Sequence, residues 1–146
     1  MVHKDNASED ILMVDIENII INRIDTILSN AGYKDIIGST YQDLPASFPW
    51  VFLEQADSYE NETYHKSSRE NNYDTVVFEV DIYSNKKSKS KEECKKILSL
   101  IDDEMVSLGF SRRVAQPMRP TSEMYKARLF ARYIGTVDSN KYIYHT

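Results

Sequence analysis

Cysteine, glycine and proline are scarce in this chain of 146 residues, which has one, four and four copies of them. The single cysteine, Cys94, excludes an internal disulfide and any zinc site of paired thiolates. The glycines are scattered, so neither a phosphate-binding loop nor a dinucleotide fingerprint is present. No apolar run approaches the roughly 20 residues that span a bilayer, and the start lacks the apolar core of a signal peptide. We therefore expect a protein made in the cytoplasm, with no cofactor and no membrane partner.

Positive charge is also in short supply. The formal net charge is −5 and the sequence pI is about 5.2, opposite in sign to the charge that non-specific nucleic-acid binding requires. Hydrophobic residues make up 41% and charged residues 28%, which is ordinary for a globular protein. These values predict one folded domain over residues 1–146. The ten tyrosines combine apolar area with a polar group, which suits protein interfaces.

An amphipathic helix is predicted over residues 8–31. Asn6 or Ser8 suits its start, and Gly32 suits its end because glycine accepts the left-handed conformation there. Apolar residues recur at three- and four-residue steps along one stripe. The stripe comprises Leu12, Ile16, Ile19, Ile20, Ile24, Ile27 and Leu28.

A second helix is predicted to begin with a capping box formed by Ser90 and Glu93 and to end at Gly109. Its apolar stripe comprises Cys94, Ile97, Leu98, Ile101, Met105 and Leu108. Because Cys94 lies on this stripe, we expect it to be a buried small hydrophobe rather than a nucleophile.

Alternation of apolar and polar residues predicts strands over residues 74–83 and 124–137. Shorter strands are predicted over residues 35–41, 50–55 and 112–116. The order of elements predicts an α+β fold with a mixed or mostly antiparallel sheet. Both helices have one stripe to bury, so they are expected to pack on one face of that sheet.

A polar stretch over residues 56–72 is predicted to be a long loop at the tip of a hairpin, and residues 138–146 a C-terminal tail. Loops of this length are commonly functional. Candidate loop contacts are Asp57, Tyr59, Glu60, Glu62, Tyr64 and Arg69.

The sheet face opposite the helices is the other candidate contact surface. On the two long strands its predicted residues are Glu79, Asp81, Tyr83, Lys126, Arg128, Phe130 and Arg132. The charges either pair across strands within one subunit or meet a neighbouring subunit.

No active site emerges from the residue types that support catalysis. His3, His65 and His145 lie in the termini or the polar loop, away from the rigid shell that catalysis needs. Glu79 and Asp81 share one strand face, as do acids in some metal-dependent nucleases, but this spacing is typical of any half-exposed strand. We therefore expect a protein with no catalytic, metal or cofactor-binding residues.

An ordered set of short segments runs along the chain from about Tyr41 to Val137. They are 48–55 (FPWVFLEQ), 63–64 (TY), 77–85 (VFEVDIYSN), 94–97 (CKKI), 101–103 (IDD), 108–110 (LGF), Pro117 and 131–133 (ARY). In this order they resemble the tail terminator family of long-tailed phages of Gram-positive bacteria, also called tail completion or minor capsid proteins.

The resemblance implies a structural virion protein of the tail–neck region, assembled in the host cytoplasm. Six copies would form a ring that caps the tail tube, stops its polymerisation and offers a surface for head joining. The implied partners are further copies of the chain, the tail tube protein, the head-completion or connector protein and, in contractile tails, the sheath protein. DNA would pass through the ring without specific binding, helped by like-charge repulsion from a net acidic ring. Similar proteins also serve headless, bacteriocin-like particles (tailocins).

Three alternatives stay open from the sequence. They are a head-side connector or minor capsid protein, a small metal-dependent nuclease using Glu79 and Asp81, and a regulatory module that binds a peptide at the 56–72 loop. For the tail terminator, we expect the sheet face or the loop to make ring or tube contacts. Deleting the loop should then leave a folded protein that assembles poorly.

Overall fold

The computed structural model describes residues 15–40, 44–60, 73–138 and 140–143. In chain order these form α1 (Glu17–Asn30), β1 (Ile37–Gly38), β2 (Trp50–Glu60), β3 (Tyr73–Ser84), α2 (Ser90–Ser107), β4 (Ser111–Met118) and β5 (Ala127–Asp138). The five strands make one sheet in the order β1-β2-β3-β5-β4. β1 is parallel to β2, and the other neighbours are antiparallel. The predicted single-domain α+β fold with a mixed sheet is confirmed.

The main core lies between the two helices and one face of the sheet. β3 supplies Val76, Phe78, Val80 and Ile82, which are fully buried, as the alternation predicts. α1 buries Ile20, Ile24 and Leu28 against it, and α2 buries Cys94, Ile97, Ile101 and Met105. The opposite sheet face, which no described helix covers, is called the open face below.

α1 starts later than predicted and uses a narrower stripe. Asp15 and Ile16 are not helical, and residues 8–14 lie outside the described part of the chain. Ile19 is 51% exposed, so its place on the predicted buried stripe is wrong. The predicted end is confirmed: Gly32 has φ +98°, and the Tyr33 N–H donates to the Leu28 carbonyl at 2.8 Å. This is the 6→1 hydrogen bond of a glycine-closed helix end.

α2 begins at Ser90, but the predicted capping box is wrong. No side chain caps the first turn, because Glu93 has another partner. Its buried carboxylate accepts a 2.6 Å hydrogen bond from the Ser84 hydroxyl at the end of β3. This bond ties the start of α2 to the sheet. The helix ends at Ser107, and Gly109 closes it as predicted, with φ +108°.

The strands also differ from their predicted bounds. β2 continues to Glu60, with an irregular register between Gln55 and Asp57, so residues 56–60 are strand rather than loop. The remainder of the predicted loop, residues 61–72, lies outside the described part of the chain. β5 begins at Ala127, three residues later than expected, and β1 is only two residues long. The first tail residue, Asp138, ends β5, and within the tail Ile143 bridges back to Val137.

None of the described helices is long and apolar enough to cross a membrane.

Candidate functional site

The open face is built from the alternate residues of β3 and β5 that point away from the helices. In the antiparallel register, Glu79 lies opposite Arg132 and Asp81 lies opposite Phe130. Residues directly opposite each other, and those one diagonal step away, are within reach of long side chains. The two acids of β3 therefore meet the two arginines of β5.

Asp81 and Arg128 form the more protected of the two ion pairs. Arg128 Nε donates to Asp81 Oδ1 at 2.9 Å, and only 20% of the Arg128 side chain and 16% of the Asp81 side chain is exposed. The guanidinium also lies over the Tyr83 ring, 5.3 Å from its centre, a favourable position for a cation. Burial lowers the pKa of Arg128, but the hydrogen bond and charge of Asp81 outweigh burial and raise the pKa overall. The arginine thus stays charged and fixed in place.

Glu79 and Arg132 form a second ion pair that is more open to solvent. Arg132 donates from Nε and Nη2 to Glu79 Oε2 at 3.1 and 2.8 Å. The side chains are 46% exposed for the arginine and 27% for the glutamate. Arg132 also lies 5.8 Å from the centre of the half-buried Phe130 ring. Of the two readings left open by the sequence, pairing within one subunit is the arrangement found for these four charges.

Glu54 adds an exposed carboxylate on β2, in register with Glu79. Partial burial raises the pKa of Glu54, and neighbouring carboxylates raise it further; these belong to Glu79, Glu17 and Asp81. No described cation forms an ion pair with Glu54. The β2 side of the open face is therefore its acidic side, which sequence reasoning missed because strand pairing had not been assigned.

One end of the open face is covered by an aromatic cluster. Tyr83 packs between Phe52 and Tyr125, with ring centres 5.9 and 4.9 Å away and near-perpendicular planes. Leu44 and Phe48 pack on the outside of this cluster. The sequence places Tyr83 on the predicted contact surface, but in the structure its side chain is only 1% exposed. It supports that surface from below.

Tyr125 precedes β5, and its side chain packs on the open face. Its hydroxyl accepts a hydrogen bond from the Thr121 N–H at 3.0 Å. Burial raises the pKa of Tyr125, but the hydrogen bonds with Thr121 and the charge of Arg128 outweigh it, so the pKa lies below its ordinary value.

The remaining predicted site residues are placed as follows. Lys126 lies just before β5 with an exposed side chain, and it forms no ion pair among the described residues. Asp57, Tyr59 and Glu60 belong to β2 rather than to a loop, and their side chains lie outside the described part of the structure. Glu62, Tyr64 and Arg69 lie outside it entirely.

Within the described ranges no three His, Cys, Asp or Glu side chains are grouped so as to hold a metal ion. Cys94 is buried under α2, and its thiol lies 3.6 Å from the Ile82 carbonyl oxygen. Burial and then the charge of Glu93 raise the pKa of this thiol to about 12, which leaves it protonated and unreactive near neutral pH.

Comparison of the sequence with known protein families and with curated proteins finds no match for this chain.

Proposed function

We propose that this chain is a structural subunit of a phage tail or a tail-like particle: a tail terminator that caps the tail tube as a ring. In that role it stops tube polymerisation and offers a surface for head joining. The observation that carries the proposal is the open face, where charged side chains are paired with each other and interleaved with half-buried apolar ones. Such a face is ordered before any partner arrives, which lowers the entropic cost of association.

The apolar residues of the open face support a contact role. Val77, Phe130 and Ile134 are each half-buried, and Val114 and Met118 of β4 extend the same face. Protein interfaces combine apolar area of this kind with arginine and with hydrogen-bonded charges. The ordered segments that resemble the tail terminator family give the surface its proposed partners, the tail tube and further copies of this chain.

The geometry gives less support to a metal-dependent nuclease at Glu79 and Asp81. Each carboxylate is held by an arginine, and a guanidinium competes with a divalent cation for the same oxygen atoms. DNA cleavage that requires Mg²⁺ and is lost in both Glu79→Ala and Asp81→Ala would favour the nuclease instead.

Removing the gene from the element that encodes it tests the proposal. We expect tail tubes of abnormal length without attached heads, or abnormally long tubes in a headless particle. The wild-type chain supplied in trans should restore normal length, and electron microscopy should reveal it as a cap at the tube end. Tubes of normal length with normally attached heads in the deletion strain would overturn the proposal.

A further inference from the structure

β4 forms one edge of the sheet, and its outer side is open. In the described part of the chain it pairs only with β5. Six of its eight residues are exposed, and the other two, Val114 and Met118, are half-buried. An edge strand presents a row of unpaired N–H and C=O groups, which are a template for another strand. Pro117 has no N–H to offer, so the usable edge is residues 111–116.

The β4 edge is basic. Arg113 is exposed on the strand, Arg119 directly follows it, and Lys91 and Lys95 of α2 lie beside it; none of these four has an ion-pair partner among the described residues. The lysines border a largely apolar pocket of about 200 Å³ between α2 and the β4–β5 pair. This edge therefore combines a strand with no described outer partner, positive charge and an adjacent pocket.

The opposite edge of the sheet is acidic. β1 covers only Val51 and Phe52 of β2, and the Gln55 N–H donates to the Glu17 carboxylate at 2.9 Å. Beyond this point no described strand pairs with the outer side of residues 56–60. β2 has no lysine or arginine in its eleven residues, but it has three acids. They are Glu54, Asp57 and Glu60.

We propose that two copies of this chain associate head to tail, with residues 111–116 of β4 pairing as a strand with residues 56–60 of β2 in the next copy. This inference rests on the ring-forming function proposed above and identifies the subunit contact within that ring. Backbone pairing provides the affinity, and the opposite charges of the two edges fix which edges meet. A contact between two different surfaces of the same chain closes into a ring when the rotation between subunits allows it.

Charge disfavours the other edge pairings. Two β4 edges would bring Arg113 of one copy close to the same basic edge of the other, and two β2 edges would bring acids together. Like charges directly opposite each other across strands are destabilising. The contact is therefore heterologous, and each subunit uses both edges once.

Two charge-reversed variants test this arrangement. The first, Arg113→Glu with Arg119→Glu, makes the β4 edge acidic; the second, Asp57→Lys with Glu60→Lys, makes the β2 edge basic. Each variant alone should associate about tenfold or more weakly than the wild type, since two attractions become repulsions. An equimolar mixture should recover association, because the acidic β4 edge of one variant fits the basic β2 edge of the other. The mixed assemblies should contain the two variants in equal numbers.

Sedimentation velocity over a concentration series, with and without tail tubes, measures the association, and circular dichroism verifies the fold. Lys87→Glu with Lys89→Glu and Glu92→Lys with Asp103→Lys are the matched controls, since all four residues are exposed and none belongs to β2 or β4. They should associate like the wild type. Hydrogen exchange should slow at the amides of residues 111–116 on assembly.

If both edge variants assemble normally on their own, the edge contact is wrong and the ring proposal stands. A wild-type chain that neither self-associates nor binds tube ends overturns both.

Discussion

Glu79 and Arg132 face each other across the β3–β5 ladder, and one carboxylate oxygen, Oε2, accepts both guanidinium hydrogen bonds. Asp81 and Arg128 repeat the same acid-to-arginine contact on the same face. Because side chains alternate along a strand, the two pairs lie side by side on the open face. The four charges thereby offset one another and hold their side chains in place on the open face.

Arg132→Ala should impair assembly far more than folding. The Glu79–Arg132 pair is partly exposed, and such pairs contribute at most about 1 kcal/mol to stability. We therefore expect urea denaturation to show a loss of about 1 kcal/mol or less, while tube capping is strongly reduced. Arg23→Ala is a matched control, because Arg23 pairs with Glu104 between the two helices, away from the open face. Normal capping by Arg132→Ala would count against a role for the open face in assembly.

Gly135→Ala should destabilise the fold through a steric clash. A Cβ atom built on Gly135 would lie 2.5 Å from Cδ1 of Phe110. That ring is buried and packs edge-on against Phe78, so it has little room to move. We expect a loss of about 1–3 kcal/mol in the free energy of unfolding, as for other overpacked cores. The double variant with Phe110→Leu should recover part of this loss; equal stability of Gly135→Ala and the wild type would contradict the packing described here.

The helix ends and the buried side of β3 could be predicted from the sequence because local rules determine them. Gly32 and Gly109 close the two helices as expected, since few other residues tolerate a positive φ there. The alternation around Val80 gives its buried face directly. Each of these features depends on residues a few positions apart.

The predictions from sequence fail where residues far apart in the chain determine the local structure. The capping box failed because Glu93 bonds to Ser84 across the connection from β3. Tyr83 is buried because residues near Phe48 and Tyr125, far away in the chain, fold over the end of the sheet. The pairing of the open-face charges likewise depends on a strand register that alternation alone does not specify. The sequence identifies the two arginines and the two acids as residues of the open face. Which acid pairs with which arginine follows only from the strand register in the structure.

The free energy of unfolding should fall at high pH because of the Cys94 thiol. Burial, reinforced by the charge of Glu93, raises the pKa of its thiol from 9.0 to about 12. The contribution of the protonated thiol is fully present below about pH 9 and is lost as the pH rises towards 12, because the unfolded chain releases the proton first. The stability difference between the wild type and Cys94→Ala should then shrink by about 1 kcal/mol per pH unit over that range.

Urea denaturation of both variants between pH 7 and 11 measures this dependence, and the titrations expected of other groups are common to both. In the folded wild type, a thiol reagent should label Cys94 only at the rate of unfolding. Rapid labelling at pH 8 under native conditions, or a pH-independent difference between the variants, would show that the thiol is more accessible than its burial indicates.

Replacing residues 61–72 with a short turn should leave the fold intact and impair assembly. The replacement spares residues 56–60, because they belong to β2 and pair with β3 as far as Glu60 opposite Asp74. A deletion that began at residue 56, as the sequence alone suggests, would remove five strand residues and confuse misfolding with loss of a contact. The shorter connection even lowers the entropic cost of closing the hairpin, so the melting temperature should stay near that of the wild type. Tail length and tube capping are the readouts, and normal values for both would exclude residues 61–72 from the assembly contacts.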